Sequence, residues 1–263
     1  MPTAEAQEKL KQRVRGFWDR RPCGSTHAVA PAGTPAFFDQ VERQRYELEP
    51  FIRDYADFEG ARDQRVLEIG VGLGTDLVQH VRAGAHVTGV DLSPRSIELV
   101  ERRLELEGRG AELIVADAER LPFADGGFDR VYSWGVLHHT PNTARAASEA
   151  VRVLRSGGRL CAMLYARRSW VAAGLWARHG LGRGRPFLSF ADVLAANMES
   201  DGTKGFTSNE LKAMFSSLRD LRVEKVATPY DRRVAGPLAG PTGRWLGWFA
   251  VVRGVKGDGG PQA

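Results

Sequence analysis

Apolar and polar positions along the middle of the chain repeat with two alternating periods. Short apolar runs at Arg65 to Ile69, Ala85 to Val90, Glu112 to Ala116, Phe128 to Ser133 and Arg159 to Tyr165 read as strands. Between them, apolar residues recur at helical spacing in Thr75 to Ala83, Ser93 to Glu107 (Ile97, Val100 and Leu104 on one face) and Thr143 to Leu154. Ser93-Pro94 is an N-cap followed by a first-turn proline, and Ser156-Gly157-Gly158 stops the third helix. Strands alternating with helices of this kind predict a doubly wound α/β fold, its sheet mostly parallel and covered on both faces.

Two regions lie outside the alternation. Residues 1–64 predict a helical cap belonging to the same domain: a helix from Ala4 to Trp18, a Pro/Gly/Ala-rich loop from Pro22 to Pro35, and a helix from Ala36 to Phe58. Residues 166–206 form an insertion after the fifth strand, rich in Arg, Gly and aromatics. The pattern then resumes with a helix from Glu210 to Leu218 capped at Thr207 or Ser208, a strand near Leu221 to Ala227, a Gly/Pro loop, and a last strand near Gly247 to Val255. The body of the domain is therefore expected over 65–255, with 256–263 a disordered tail. No internal repeat or second domain is visible.

Composition narrows the class. A chain of 263 residues, 43% hydrophobic and 26% charged, suits one globular α/β domain. The longest apolar stretch runs only from Trp170 to Ala177, far short of a membrane span. Met1 to Lys11 lacks the apolar core of a signal peptide, and two cysteines, Cys23 and Cys161, make no disulfide framework, so a cytoplasmic protein is expected. The net charge of +5 is spread among acids rather than gathered in a basic tail, which argues against a nucleic-acid partner. One stretch departs from this: no acid lies between Glu149 and Asp192, where arginines including Arg167 and Arg168 cluster. It is either a solvated arginine surface or a patch that gathers an anionic acceptor, with Arg167 and Arg168 as candidate contacts.

The chemistry is concentrated at Val66-Leu67-Glu68-Ile69-Gly70-Val71-Gly72-Leu73-Gly74-Thr75-Asp76, where a strand runs through closely spaced glycines into a helix. Glycines there let a ligand approach the backbone where a β-carbon would block it. Asp91 closes the second strand about 20 residues beyond Gly70, the position from which a carboxylate accepts ribose hydroxyls. The spacing is Gly-x-Gly-x-Gly rather than the dinucleotide Gly-x-Gly-x-x-Gly. Glu68 would repel a pyrophosphate at the helix N-terminus but suits a cofactor carrying ammonium and sulfonium charge.

With Gly89-Val90-Asp91-Leu92-Ser93, Ala116-Asp117-Ala118-Glu119, Leu121-Pro122-Phe123, Phe128-Asp129, Trp134-Gly135-Val136-Leu137-His138-His139 and Leu154-Arg155-Ser156-Gly157-Gly158 following in order, the chain resembles the class I S-adenosylmethionine-dependent methyltransferases, in particular their type-11 small-molecule group. The likeness covers about residues 60–165; Ser156 stands where the group usually has proline. It implies a Rossmann-like seven-stranded sheet with an antiparallel last strand, S-adenosyl-L-methionine as cofactor, no metal, and a small-molecule acceptor. It further implies that Gly70, Gly72 and Gly74 surround the methionine part of the cofactor with Glu68 near its amino group. Asp91 would bind the ribose and Leu92 flank the adenine, while Asp117 and the backbone of Ala118 meet the adenine amino group. Trp134 and Gly135 would pass near the transferable methyl.

His138 and His139 follow the fourth strand, where an acceptor meets the sulfonium, and are candidate general bases, His139 the better placed. The alternative is catalysis by alignment and water exclusion alone. Among the aromatics of the N-terminal cap, Trp18 and Tyr46 are the candidates for touching a ligand. Three other readings remain: an NAD-type oxidoreductase, disfavoured by Glu68, the glycine spacing and the missing Tyr-x-x-x-Lys pair; a non-catalytic S-adenosylmethionine-binding module; and an RNA methyltransferase, for which no appended RNA-binding domain or base-holding motif is present.

Overall fold

A computed structural model of the chain describes residues 3–258. Seven strands form one sheet: β1 (Arg65–Ile69), β2 (His86–Asp91), β3 (Glu112–Val115), β4 (Phe128–Trp134), β5 (Leu154–Tyr165), β6 (Leu218–Val226) and β7 (Phe249–Lys256), in spatial order β3-β2-β1-β4-β5-β7-β6. The first five pair in parallel, and β7 lies antiparallel between β5 and β6. This is the expected Rossmann-like sheet. The order reverses on either side of β1, so the crevice at the carboxyl ends of β1 and β4 is the natural ligand position of such a sheet.

Eleven α-helices surround it among the described residues. α1 (Ala4–Arg20), α2 (Pro35–Leu48) and α3 (Ile52–Ala56) form the N-terminal cap; α4 (Thr75–Arg82), α5 (Pro94–Leu106) and α6 (Thr143–Arg152) are the crossovers. α7 (Trp170–His179) and α8 (Phe190–Asn197) fill the insertion, α9 (Ser208–Met214) leads into β6, and α10 (Pro229–Ala235) and α11 (Ala239–Leu246) join β6 to β7. Local signals account for most of these boundaries. Ser93 Oγ accepts from Ser96 N with Pro94 in the first turn of α5, and Asn142 caps α6 through its side chain.

Four expectations are corrected. The single helix from Ala36 to Phe58 is two, because Pro50 disfavours helical geometry at Glu49 and cannot continue the hydrogen-bond ladder. The Gly/Pro loop between the last two strands is mostly helical: Thr228 and Asp231 make a reciprocal capping box with Pro229 in the first turn of α10. β5 begins at Leu154, before the glycine pair rather than after it. Lys256, placed at the start of the tail, ends β7 and donates through Nζ to Arg152 O and Leu154 O at 2.8 and 2.7 Å. Residues 259–263 of that tail lie outside the described residues.

The cap is held to the sheet edge by both apolar and charged contacts. Phe37, Phe38 and Val41 of α2 bury against Leu73 and Leu99. Arg103 of α5, fully enclosed, lies under the Phe38 ring at 5.4 Å and pairs with Glu42. α1 is pinned by Lys11, whose Nζ is 2.5 Å from Asp117 Oδ2 and 2.9 Å from Glu119 Oε2, and by Ser93 Oγ donating to Asp19 at 2.6 Å. These contacts lay α1 across the carboxyl edge of the strands. No helix among the described residues is long and apolar enough to cross a membrane.

Candidate active site

A cavity opens at the carboxyl edge, floored by the loops after β1, β2, β3 and β4 and roofed by α1, α2 and Tyr230 of α10. Of the residues singled out from sequence, Glu68, Gly70, Gly72, Asp91, Leu92, Asp117, Ala118, Trp134, Gly135, His139 and Trp18 all line it. Gly74, His138, Tyr46, Arg167 and Arg168 do not.

The glycine loop shows why these differ. Gly72 has φ +53°, and a β-carbon there would find nothing closer than Cys23 Cβ at 3.9 Å, so its open side faces the cavity. Gly74, expected at the cofactor, instead carries the N-cap of α4 at φ +68°, and a β-carbon would press to 3.0 Å on Val100 of α5. It serves helix packing. Asp91 braces the loop: Oδ2 accepts from Gly72 N at 3.0 Å and Oδ1 from Ser93 N at 2.9 Å. Burial raises its pKa, against the pull of those backbone donors. Each oxygen keeps a lone pair for a ligand hydroxyl. Asp117 is similarly half-used, by Glu119 N at 2.9 Å and by Lys11.

Deeper in, carboxylates gather around one arginine. Asp76, at the start of α4, takes Arg45 Nη2 at 2.6 Å and Arg45 Nε at 3.1 Å, and accepts from Tyr132 and Tyr46 hydroxyls at 2.9 and 3.0 Å. Burial alone would raise its pKa, but the Arg45 charge and these donors hold it below the usual range. Tyr46, a candidate ligand contact, is thus spent on Asp76, with Arg53 stacked over its ring at 4.3 Å. Glu49 accepts from Trp134 Nε1 at 3.0 Å; burial pushes its pKa up while Arg45 and the indole pull against it. Glu68 is also buried, and its Oε2 has no hydrogen-bond partner. Burial first, then the neighbouring charges of Asp76 and Asp91, drive its pKa well upward against Arg45. A buried oxygen without a donor is costly in the protein alone and complementary to a cation that enters the cavity.

His139 lines the cavity, edge-on to Trp18 with ring centroids 5.3 Å apart. Its Nδ1 lies 2.9 Å from both Thr203 Oγ1 and Ser200 Oγ. The Thr203 hydroxyl donates to Ser200 O at 2.7 Å, so toward His139 it can only accept. A proton on Nδ1 matches the Thr203 acceptor, and in that tautomer the lone pair sits on Nε2 of a cavity-lining ring. Burial, with Lys204 nearby, pushes its pKa down to about 3, so the ring is neutral near pH 7. His138 is excluded as a base by position: it is buried outside the cavity, stacked on Tyr165 at 3.9 Å, with neither ring nitrogen hydrogen-bonded.

Arg167 and Arg168 are placed elsewhere. Arg167 donates to Gly205 O and pairs with Glu210 at 3.0 Å, and both arginines line a separate shallow depression beside Trp170 and Phe190. Sequence reasoning had passed over Arg45, Glu49 and Tyr230 as cavity residues. Asp76 was visible at the end of the glycine motif, but nothing local indicated its role. The two cysteines are both free.

Residues 67–162 match the family model described as a methyltransferase domain. Over 131 residues the chain is 33% identical to the O-methyltransferase rstn1 of Aspergillus nomiae, an alignment covering 47% of this chain and 58% of that protein. The chain thus spans under two thirds of the length of this curated relative. A structure of an S-adenosylmethionine-dependent methyltransferase from Thermotoga maritima, described as a possible histamine N-methyltransferase, superposes with a TM-score of 0.56 at 21% identity, covering 92% of this chain and 99% of that one. The [4+2]-cyclase SpnF superposes with a TM-score of 0.60 at 16% identity, covering 98% of this chain and 97% of that one. A shared sheet therefore fixes the architecture and leaves the reaction to the site. With its motifs in order on that sheet and its glycine loop, Glu68 and Asp91 in one cavity, the chain carries over residues 67–162 a methyltransferase domain, on a sheet similar to that of S-adenosylmethionine-dependent enzymes.

Proposed function

We propose that this protein methylates a hydroxyl group of a small-molecule acceptor, with S-adenosylmethionine as methyl donor and His139 as the group that receives the acceptor's proton. The observation that carries this reading is the Nε2 lone pair of His139, left free by the Thr203 contact at Nδ1 and lining the cavity. Bound S-adenosylmethionine supplies a methyl on a positively charged sulfur, so that displacement by the acceptor oxygen releases a neutral thioether.

The residues fit such a ligand. The unpartnered Oε2 of Glu68 suits its ammonium, the free lone pairs of Asp91 suit its ribose, and Gly72 leaves the space that the methionyl chain needs. Carboxylates outnumber cations in the lining, Glu49, Glu68, Asp76, Asp91 and Asp117 against Lys11 and Arg45, which favours cationic ligands over anionic ones. With Arg167 and Arg168 outside, a neutral acceptor fits better than the anionic one suggested by the arginine stretch.

Trp18, Leu48, Glu49 and Tyr230 line the cavity and lie outside the cofactor motifs, and form the acceptor pocket in this reading. His139 accepts the proton at Nε2 as the oxygen–carbon bond forms. An oxygen acquiring a third bond becomes strongly acidic, so even a weakly basic, neutral imidazole takes the proton downhill. Trp18 and α1 exclude water from this step. The relative from Aspergillus nomiae carries the name O-methyltransferase, in keeping with an oxygen acceptor.

The test is incubation of the protein with methyl-deuterated S-adenosylmethionine and a small-molecule extract, followed by mass analysis. A labelled methyl ether is expected. Label found only on nitrogen, sulfur or carbon would refute the hydroxyl assignment.

A further inference from the structure

The helices beyond the carboxyl ends of β5 and β6 carry an outer surface that methyl transfer does not use. Among the described residues, nine large apolar side chains are exposed, and six of them come from two short stretches: Leu181 and Phe187 after α7, and Tyr230, Val234, Leu238 and Trp245 on and around α10 and α11. Phe187 is 99% exposed and Leu238 60%, values at which a side chain gains nothing from the fold. The charges between them are of one sign. Arg183, Arg185, Arg232, Arg233 and Arg244 are exposed, and the only acid within residues 181–187 and 229–246, Asp231, is fully buried in the capping box of α10.

The stretches belong to one packed unit. α10 packs on both α7 and α11. Val234 approaches so near that a β-carbon on Gly174 of α7 would meet it at 3.0 Å, and Trp170 Nε1 donates to Thr242 Oγ1 of α11 at 2.8 Å. Arg244 stacks on the Trp245 ring at 3.7 Å and Arg233 over Tyr230 at 5.5 Å. Such pairs combine an apolar ring with a guanidinium that can reach toward anions, the pairing suited to the boundary between lipid headgroups and hydrocarbon. Tyr230 also lines the cavity, so this surface adjoins the acceptor side of the site.

We propose that this face docks the protein on the surface of an anionic lipid bilayer, peripherally and without a spanning helix. The arginines supply attraction to anionic headgroups, and Phe187, Leu181, Leu238 and Trp245 supply apolar area for the acyl boundary. A nucleic acid would satisfy the arginines but would offer no hydrocarbon to Leu181 and Leu238. The lipid surface satisfies both.

The test is flotation of the full chain with vesicles of phosphatidylcholine alone and of phosphatidylcholine mixed with phosphatidylglycerol. Binding is expected to the mixed vesicles, weakening as salt rises. Phe187→Ser combined with Leu238→Ser should lower the vesicle affinity by at least about 10-fold with an unchanged melting temperature. Arg183→Glu combined with Arg185→Glu should lower it by at least about 10-fold too. No flotation with the mixed vesicles at low salt would overturn the proposal. So would binding that depends on the arginines yet ignores the serine substitutions, because that pattern is charge attraction alone, without the apolar contact with the acyl boundary.

Discussion

Arg45 of α2 and Asp76 of α4 form a two-point ion pair in the cavity wall, with contacts of 2.6 and 3.1 Å and the Asp76 side chain only 3% exposed. The pair joins the N-terminal cap to the helix that follows the glycine loop. It is also the counter-charge that keeps Asp76 ionised beside Glu68. Replacing Arg45 by Met should leave an uncompensated buried carboxylate and cost about 3–5 kcal/mol of stability. Urea unfolding of the two proteins at neutral pH measures this; a loss below about 1 kcal/mol would mean that Asp76 finds solvent or a proton readily.

Glu68 should show opposite effects on stability and binding. Its pKa is raised in the folded chain, so its favourable contribution is complete below about pH 4, the unfolded value, and is lost as pH rises toward the folded value. Glu68→Gln removes that loss and should raise the melting temperature of the ligand-free protein at pH 7 to 8. The same change should weaken S-adenosylhomocysteine binding by about 10-fold or more, because the ligand ammonium loses a charged acceptor worth roughly 1.5–3 kcal/mol. Calorimetric titration alongside thermal melts reads both; a variant that binds as tightly as the parent would remove Glu68 from the ammonium site.

Asp91 should combine a loop-bracing and a ligand-binding role. Asp91→Ala frees Gly72 N and removes the acceptor for ribose hydroxyls, so S-adenosylhomocysteine should bind at least about 10-fold more weakly. Equal affinity in titrations of the two proteins would assign the ribose to another group.

The parts of the fold visible in the sequence were those encoded locally. Gly70 to Gly74, the Ser93-Pro94 cap and the alternation of apolar runs are short-range signals, and the five parallel strands and their helices follow them closely. The break at Pro50 and the capping box at Thr228 and Asp231 were also written in the chain, but helical periodicity masked the first and glycine content the second. The network in the site was not legible, because it depends on docking. Arg45 meets Asp76 across 31 positions, and His139 meets Thr203 across 64, from an insertion that no periodic pattern connects to the fourth strand. The same limit applies to Arg167 and Arg168, whose sequence neighbourhood suggested a ligand: packing gives Arg167 the partners Gly205 and Glu210 instead and places Arg168 beside it, away from the cavity.

Thr203 should act as a positioning residue for the His139 ring. Thr203→Val removes the acceptor for Nδ1–H, leaving the Ser200 hydroxyl free to donate to Nδ1 and move the proton to Nε2. The turnover rate should fall about 10-fold or more with little change in S-adenosylhomocysteine affinity, and Thr203→Ser should restore it. A Val variant with normal turnover would show that the tautomer is set by something other than this hydroxyl.

The most direct test of the mechanism is the pH dependence of single-turnover methyl transfer in the parent protein and in His139→Ala, once an acceptor is identified. Burial holds the ring near a pKa of about 3, so the parent rate is expected to be flat from about pH 6 to 8, without the limb an ordinary imidazole would give. The Ala variant is expected to bind S-adenosylhomocysteine normally and to transfer methyl about 10²–10⁴-fold more slowly across that range. An Ala variant with near-parental transfer would contradict proton transfer to His139 and leave alignment and desolvation as the source of the rate.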